Sequence, residues 1–310
     1  MALAEAPGSI SGTGGLTRRA RTLSLGAVPP PALILLGILS VQTGAGLAKN
    51  LFDRTSPDAV VLMRLATSAI VLTFVSRKVL RTVLRGASRR DLAIAAGFGL
   101  TLALMNFSIY QSFSRIPLGV AVTIEFLGPL AVAIAASRHF RDVVWALLAF
   151  GGVILLARGG GVDIVGIAFA VLAGVCWAAY ILFSSATGKR FAGSSGLAVA
   201  SVVGTMAMLP IGVHSGGSSL LSPELLVIGL GVGLLSSVIP YSLELDALRR
   251  MSTRVFGILM SLEPAVAALI GLVLLGEILS WRQWIAIGCV IVACVGATLG
   301  ERTPPATPEA

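Results

Sequence analysis

The sequence predicts an all-α polytopic membrane protein, and three observations carry that prediction. Hydrophobic residues make up 56% of the 310 residues and charged residues only 12%, whereas an average soluble domain carries about 25% charged residues. The mean hydropathy is +0.94. The apolar residues fall in ten stretches separated by short polar or basic segments. A soluble enzyme, a disordered scaffold and a disulfide-stapled secreted domain are excluded, because too little polar surface is left to coat a globule in water.

Each apolar stretch has the length of a membrane-spanning helix, which needs about 20 mostly apolar residues. Only helices can be joined in this way in lipid, because each helix satisfies its own backbone hydrogen bonds. The predicted spans are 31–48, 57–76, 92–113, 117–136, 143–158, 164–186, 196–213, 224–246, 254–276 and 281–299. The first is interpreted as a signal anchor and not as a cleaved signal, because nine similar stretches follow it.

The spans divide into two halves of five, 31–158 and 164–299, between polar tails at 1–30 and 300–310. The Lys and Arg residues predict the orientation, because cytoplasmic loops carry an excess of them. With the N terminus inside, the inner segments hold seventeen and the outer segments five. Both termini are therefore predicted to be cytoplasmic, with 1–30 disordered. The net charge of +9 arises from these clusters, so no nucleic-acid partner is predicted.

Two segments about 135 residues apart predict an internal repeat. NFSIYQSFSRIPLGVAVTIEFLGP (106–129) and PYSLELDALRRMSTRVFGILMSLEP (240–264) each run from a helix with a polar end, through a basic turn, into a helix with a mid-span Glu and Pro. Five helices per copy is an odd number, so the second copy enters the membrane from the opposite side. Inverted repeats are typical of alternating-access transporters that hold substrate near the midplane. The alternative is that two Gly-rich apolar segments resemble each other by composition.

These segments resemble the EamA-type transporters of the drug/metabolite transporter superfamily, and among them the bacterial threonine/homoserine exporters. The resemblance covers roughly residues 31–300 and is carried by SVQTGAGLAKNLF (40–52), GLVLLGEILS (271–280) and the stretches 105–134 and 239–269. It implies a ten-helix fold with both termini inside, a central cavity, and export of small amino acids or related metabolites across the bacterial cytoplasmic membrane. It does not imply which side chains bind substrate.

Four polar residues of the first four spans are predicted to share one layer. Gln42, Arg64, Asn106 and Glu125 lie about 9 to 12 Å below the outer surface at 1.5 Å per residue. Ionisable residues at such depth are costly and mark functional sites. One hypothesis is a substrate layer, in which Arg64 binds a carboxylate, Glu125 an ammonium or a proton, and the two amides a hydroxyl. The alternative is an Arg64–Glu125 ion pair that braces two helices, with interhelical hydrogen bonds from the amides.

Further candidates for substrate binding come from the rest of the chain, and several of them have an alternative role. The aromatic residues suit a membrane-interface belt, and Glu244 suits an interfacial pair with the basic turn that follows it. Lys49 suits a snorkelling anchor, but its place in the family-like Ala-Lys pair keeps it in the set. The further candidates are Lys49, Tyr110, Trp177, Tyr241, Glu244 and Glu263.

Pro129 and Pro264 are predicted to kink or loosen their helices near mid-span, because proline donates no hydrogen bond to the preceding turn. Carbonyl groups freed there suit a cavity lining or a hinge. Prolines are also common in membrane helices that have no hinge, and that alternative remains open.

The sequence lacks the parts of an enzyme. Gly188-Lys189 is followed by Arg190 outside any phosphate-binding loop pattern, and His139 and His214 lie in predicted loops. We therefore predict no catalytic activity, cofactor or metal. The predicted partners are a small-molecule substrate, the lipid bilayer and a coupling proton, and a homodimer is left open. The alternatives in function are export of another metabolite or drug, or a membrane scaffold that transports nothing.

Overall fold

Helices make up nearly all of the part of the chain that the structure describes. The structure is a computed structural model, and it describes residues 28–136, 140–157, 163–191 and 195–300. In chain order the helices are α1 (Pro30–Asn50), α2 (Pro57–Gly86), α3 (Arg89–Phe113), α4 (Leu118–Glu125), α5 (Leu127–Ala136), α6 (Phe140–Ala157), α7 (Ile164–Gly188), α8 (Ser195–Gly216), α9 (Pro223–Gly233), α10 (Ile239–Leu248), α11 (Thr253–Met260), α12 (Glu263–Leu275) and α13 (Trp281–Gly300).

The helical stretches coincide in position with the predicted spans. Among the described residues, nine helical stretches are long and apolar enough to cross a membrane, and Val143–Leu156 forms a shorter apolar helix. The prediction of an all-helical polytopic membrane protein is therefore confirmed. The predicted tails lie almost entirely outside the described residues.

Polar caps start several helices at the ends of the spans. The Ser56 hydroxyl accepts a hydrogen bond from the backbone of Ala59. Ser88 and Asp91 form a reciprocal capping box at the start of α3, and the Asp163 carboxylate caps α7. Such side chains satisfy backbone N–H groups that the first helical turn leaves unpaired.

Two helices run further than the sequence predicted. Helix α2 continues ten residues past 76, to Gly86, because the basic segment holds good helix formers and no glycine or proline before that point. Helix α8 continues to Gly216, so His214 lies in its last turn. The prediction of a loop at His214 was wrong. His139 lies outside the described residues.

Three spans are interrupted, and a proline lies close behind each interruption. The fourth span breaks at Phe126, ahead of Pro129, and the ninth at 261–262, ahead of Pro264. The eighth span contains a π-helical turn, Leu234–Val238, ahead of Pro240. Proline has no N–H to donate to the carbonyl four residues earlier. The breaks at 126 and 261–262 lie where loosening was expected, whereas the π turn was not expected.

The two halves of the chain pack mainly against each other. Helix α1 contacts α10 and α12, α2 contacts α8 and α9, α3 contacts α7 and α8, α4 contacts α7 and α12, and α6 contacts α13. Large apolar side chains such as Ile70, Phe74 and Val175 remain exposed on the outside, as expected for a surface that faces lipid. Because the outside is apolar, a site for a polar ligand is expected in the interior between the two halves.

Glycine allows the broken fourth span to approach α7 closely. A Cβ atom added to Gly128 would collide with the backbone oxygen of Gly174, and one added to Gly174 would lie 2.9 Å from the backbone oxygen of Glu125. Small residues at such crossings let two backbones pack directly in membrane helices.

We expect Gly128→Val to lower the free energy of unfolding by about 2 kcal/mol, because the added methyl groups must separate α5 from α7. Thermal unfolding of the purified protein in detergent measures the loss. Gly151→Val is the matched control, since no atom lies within 4 Å of a Cβ atom added there. Equal melting temperatures for the two variants would contradict the close packing.

Candidate substrate site

A cavity of about 260 Å³ lies between the two halves. All four of the first spans contribute to its wall, together with α7, α8, the π turn, α10, α11 and α12. Eight of the residues predicted from the sequence line it: Gln42, Arg64, Asn106, Glu125, Trp177, Tyr241, Glu244 and Glu263. The structure therefore brings the predicted outer layer and the candidates of the second half to one cavity.

Arg64 reaches across the cavity from α2 to the π turn. Its Nη2 donates a hydrogen bond to the Ser236 backbone oxygen at 3.0 Å, and its Nε lies 3.4 Å from the Ser237 hydroxyl. Ser236 lies four residues before Pro240, so its carbonyl has no α-helical donor. The neighbouring Leu235 carbonyl accepts from the Ser40 hydroxyl at 2.8 Å. The irregular turn thus exposes carbonyl groups that polar side chains satisfy.

Tyr110 supports Arg64 from outside the cavity. Its side chain is fully buried, and its hydroxyl lies 3.4 Å from Arg64 Nη1. The guanidinium carbon lies 5.6 Å from the centre of the Tyr110 ring, within the range of a cation–π interaction. Tyr110 therefore positions the cation of the site but does not line the cavity.

Glu125 and Arg64 share the cavity without forming an ion pair. Among the described residues, none of the nitrogen–oxygen pairs within 4.0 Å joins these two side chains. Glu125 is 9% exposed, and both side chains line the open space. The brace that the sequence left open as an alternative is not formed, so both charged groups remain available to a ligand.

The two amides of the predicted layer are held differently. Gln42 Nε2 on α1 donates to Glu263 Oε1 on α12 at 2.8 Å, which links the two halves. Asn106 Nδ2 donates to the Leu102 backbone oxygen of its own helix at 2.8 Å. The interhelical bond proposed for the amides is thus present for Gln42.

Unpartnered polar atoms gather around this cavity. Among the described residues, Gln42 Oε1, Asn106 Oδ1, Ser236 Oγ and Glu263 Oε2 are buried without a hydrogen-bond partner, and all four residues line the cavity. Buried polar atoms are nearly always hydrogen-bonded. Together with one guanidinium and the carboxyl groups of Glu125, Glu244 and Glu263, they define a site for a small polar ligand.

The aromatic and acidic candidates of the second half face this space. Trp177 packs edge-on against Phe126, with ring centres 4.9 Å apart. Tyr241 and Glu244 are half-buried on α10 and line the cavity. Asp246, by contrast, forms an i,i+4 pair with Arg250 of the basic turn at 3.1 Å.

Lys49 lies away from the cavity, in a polar clamp at the opposite end of α1 from the N terminus. Its Nζ lies 2.6 Å from Glu277 Oε1 and donates to the Ile116 backbone oxygen at 2.8 Å. Glu277 Oε2 accepts from the Leu118 backbone N–H at 2.8 Å. The clamp therefore joins α1, the turn before α4 and the turn after α12. Lys49 is an ion-pair partner in this structure and not a snorkelling anchor.

We expect Lys49→Met to lower the free energy of unfolding by about 3 kcal/mol, because it leaves the largely buried Glu277 carboxylate without its cation. Arg54→Met is the control. The Arg54–Glu224 pair is more than half exposed, so its loss is expected to cost less than about 1 kcal/mol. Thermal unfolding of both variants measures the difference, and equal losses would argue against the clamp.

Sequence reasoning missed the serines of the π turn. Ser236 and Ser237 hold Arg64, and the signal for them was Pro240, whose missing N–H predicts a free carbonyl at 236.

For metals, no group of three or more His, Cys, Asp or Glu side chains with the right spacing occurs among the described residues. All three cysteines are free.

A helical bundle with a ligand-sized polar cavity at the interface of its halves is typical of membrane transporters. The EamA-like transporter family profile matches residues 164–299. Threonine/homoserine exporter RhtA of Salmonella typhimurium (strain LT2) is 41% identical over 280 residues, 89% of this chain and 93% of that protein. The protein of the same name in Escherichia coli (strain K12) is 40% identical over 277 residues, 88% and 92%. The chain belongs to the EamA-like transporter family.

More distant similarities agree with this membership. An uncharacterized inner membrane transporter, YedA of Escherichia coli (strain K12), is 29% identical over 246 residues, 74% of this chain and 75% of that protein. A solved structure titled "Crystal structure of protein" superposes with a TM-score of 0.58 at 17% identity, over 86% of this chain and 96% of that one. The latter shows the fold alone. The resemblance stated from the sequence is confirmed, and the chain is a multi-pass transporter of the bacterial inner membrane.

Proposed function

We propose that this protein exports threonine, homoserine or similar small amino acids across the bacterial cytoplasmic membrane by alternating access. The observation that carries the proposal is the 40–41% identity, over about nine-tenths of the chain, to proteins named as threonine/homoserine exporters. The chemistry of the cavity supports it, since a zwitterion needs both a cation and a carboxylate in one small space.

The substrate carboxylate binds Arg64, whose guanidinium presents a planar fork of donors to paired oxygens. The ammonium group binds Glu125 or Glu263. The hydroxyl of threonine or homoserine donates to an amide oxygen of Gln42 or Asn106, both of which are buried without a partner. This arrangement uses each ionisable group of a hydroxylated amino acid.

The two halves are inverted copies of one five-span unit. If each first-half span is exchanged with the span five positions later, the contact between α1 and α10 becomes a contact between α7 and α3. In the same way, α1–α12 becomes α7–α4 and α2–α9 becomes α8–α3. The structure contains all of these contacts. This correspondence supports the repeat. The excess of Lys and Arg on one side supports an orientation with both termini in the cytoplasm.

In this orientation two ionic contacts join the two halves on the outer side. Side chains of the two halves meet there in the Lys49–Glu277 clamp and the Arg54–Glu224 pair. Opening to the outside requires these contacts to separate while the halves move about their broken spans. Pro129 and Pro264 act as hinges in that movement, because the helices are already interrupted beside them.

Export is coupled to proton entry through Glu125 or Glu263, which are buried carboxyl groups in the binding cavity. Protons and substrate compete for the same carboxylates, which is the simplest basis for exchange of one for the other.

A homodimer is a separate part of the proposal, and light scattering of the protein in detergent tests it.

Counterflow in proteoliposomes tests the transport assignment. Vesicles that contain the purified protein are loaded with unlabelled threonine and scored for uptake of labelled threonine against empty vesicles. We expect protein-dependent accumulation. Absence of exchange, in protein that elutes as a single folded species, would reject threonine as cargo, and a metabolite screen would follow.

A further inference from the structure

A second cavity of about 340 Å³ lies beside the first. It is lined by residues of α5, α7, α10, α11 and α13, with Leu130, Ala133, Ile181 and Phe256 among them. Three residues line both cavities: Trp177, Glu244 and Met260. The two spaces are therefore adjacent and share one thin wall.

The second cavity differs from the first in its polar chemistry. Its two hydroxyl groups are already bonded to their own helices, since Ser261 Oγ donates to the Gly257 backbone oxygen at 2.9 Å and Thr298 Oγ1 to that of Cys294 at 2.8 Å. Within the described part of the chain, no Lys or Arg lines it, and Glu244 on the shared wall is its single carboxylate. None of its lining side chains is among the buried groups that lack a partner.

A space with satisfied hydroxyls and an otherwise apolar wall favours an apolar occupant, because burial of apolar surface is favourable and no polar group there needs a ligand. The first cavity has the opposite character. Together, the two cavities match a molecule with a charged head and an apolar tail, and an amino acid with an apolar side chain is such a molecule.

The shared wall is built from residues that limit how far a side chain can extend. The Trp177 ring is held edge-on against Phe126, at an interplanar angle of 85°. Met260 is unbranched and adapts its shape to its neighbours. A substrate bound at Arg64 and Glu125 extends towards the second cavity past these two side chains and Glu244.

We propose that the second cavity is a subsite for an apolar amino-acid side chain, and that Trp177 and Met260 set the size of side chain that the transporter accepts. This inference rests on the proposed function, because it takes the head group to be bound in the first cavity. It assigns to one chain two cargo classes: small hydroxylated amino acids, and apolar amino acids whose side chains cross the wall.

Competition counterflow tests the subsite. Uptake of labelled threonine is inhibited with external leucine or external unlabelled threonine, and the ratio of the two half-inhibitory concentrations is measured. We expect Trp177→Ala to lower the leucine-to-threonine ratio by about tenfold, as expected when a pocket gains room for a few methylene groups. Trp281→Ala is the matched control, since Trp281 lines neither cavity and its ratio is expected to stay at the wild-type value.

The outcomes separate this inference from the proposed function. Threonine exchange with an unchanged ratio in Trp177→Ala would overturn the subsite and leave the transport assignment intact. Loss of threonine exchange in the wild-type protein would overturn both. An equal fall of the ratio in Trp281→Ala would also overturn the assignment to Trp177.

Cys294 provides a second measurement that does not depend on Trp177→Ala folding. It lines the second cavity, and Cys176→Ser with Cys289→Ser leaves it as the single thiol of the chain. We expect saturating leucine to slow alkylation of Cys294 by N-ethylmaleimide more than saturating threonine does. Equal rates with the two amino acids would overturn the subsite.

Discussion

Replacing Arg64 with glutamine is expected to raise the threonine concentration for half-maximal counterflow by about 100-fold, because charge-assisted hydrogen bonds to a buried carboxylate are lost. Arg64 is the cation that lines the substrate cavity together with the three carboxyl groups. Proteoliposome counterflow across a range of threonine concentrations measures the change.

Two variants separate binding from folding in this experiment. Arg64→Lys keeps the charge but not the planar fork, so we expect an intermediate rise. Arg77→Gln makes the same change on the same helix, at an arginine that lies over Phe74 and outside the cavity, and should behave as the wild type. If Arg64→Gln, correctly folded, kept the wild-type half-saturation, the carboxylate would bind elsewhere.

Replacing Glu125 with glutamine is expected to abolish transport driven by a pH gradient while counterflow persists. Glutamine has nearly the same shape as glutamate but carries no titratable proton. The measurement compares threonine uptake into vesicles whose interior is more acidic than the bath with uptake at equal pH. For Glu125→Gln, we expect the two rates to be equal, whereas the wild-type protein is faster with the gradient.

Glu263→Gln is the companion variant, because Glu263 is the counterpart of Glu125 in the predicted repeat. Glu224→Gln removes an exposed carboxylate outside the cavity and serves as the control. Full gradient-driven uptake by Glu125→Gln would show that Glu125 is not the coupling acid. Full gradient-driven uptake by both Glu125→Gln and Glu263→Gln would rule out proton coupling through these two carboxyl groups.

The sequence predicted the spans and eight of the residues that line the cavity, for a simple physical reason. In lipid a polar group at depth is costly, so residues such as Gln42, Arg64 and Glu125 stand out from their apolar neighbours. They had to face one another or a cavity, whatever the arrangement of the helices. The depth of each residue followed from the helical rise alone.

The features that the sequence did not predict depend on how distant helices meet. Lys49 and Glu277 are 228 positions apart, and no local pattern indicates that the ends of α1 and α12 adjoin. Tyr110 lies one turn from Asn106, but only the packing shows that it supports Arg64 and does not line the cavity. The π turn ahead of Pro240 was missed because hydropathy reports the burial of a segment and not its hydrogen-bond register.

The hydrogen bond from Gln42 to Glu263 has a consequence for the speed of the transport cycle. It ties the two halves together, and an ammonium group bound at Glu263 competes with Gln42 for the same carboxylate. A ligand shifts a conformational equilibrium only by its difference in affinity between the two states. In the proposed alternating-access mechanism, bound substrate weakens this bond, so we expect reorientation without substrate to be slow and one-for-one exchange to be faster than net efflux.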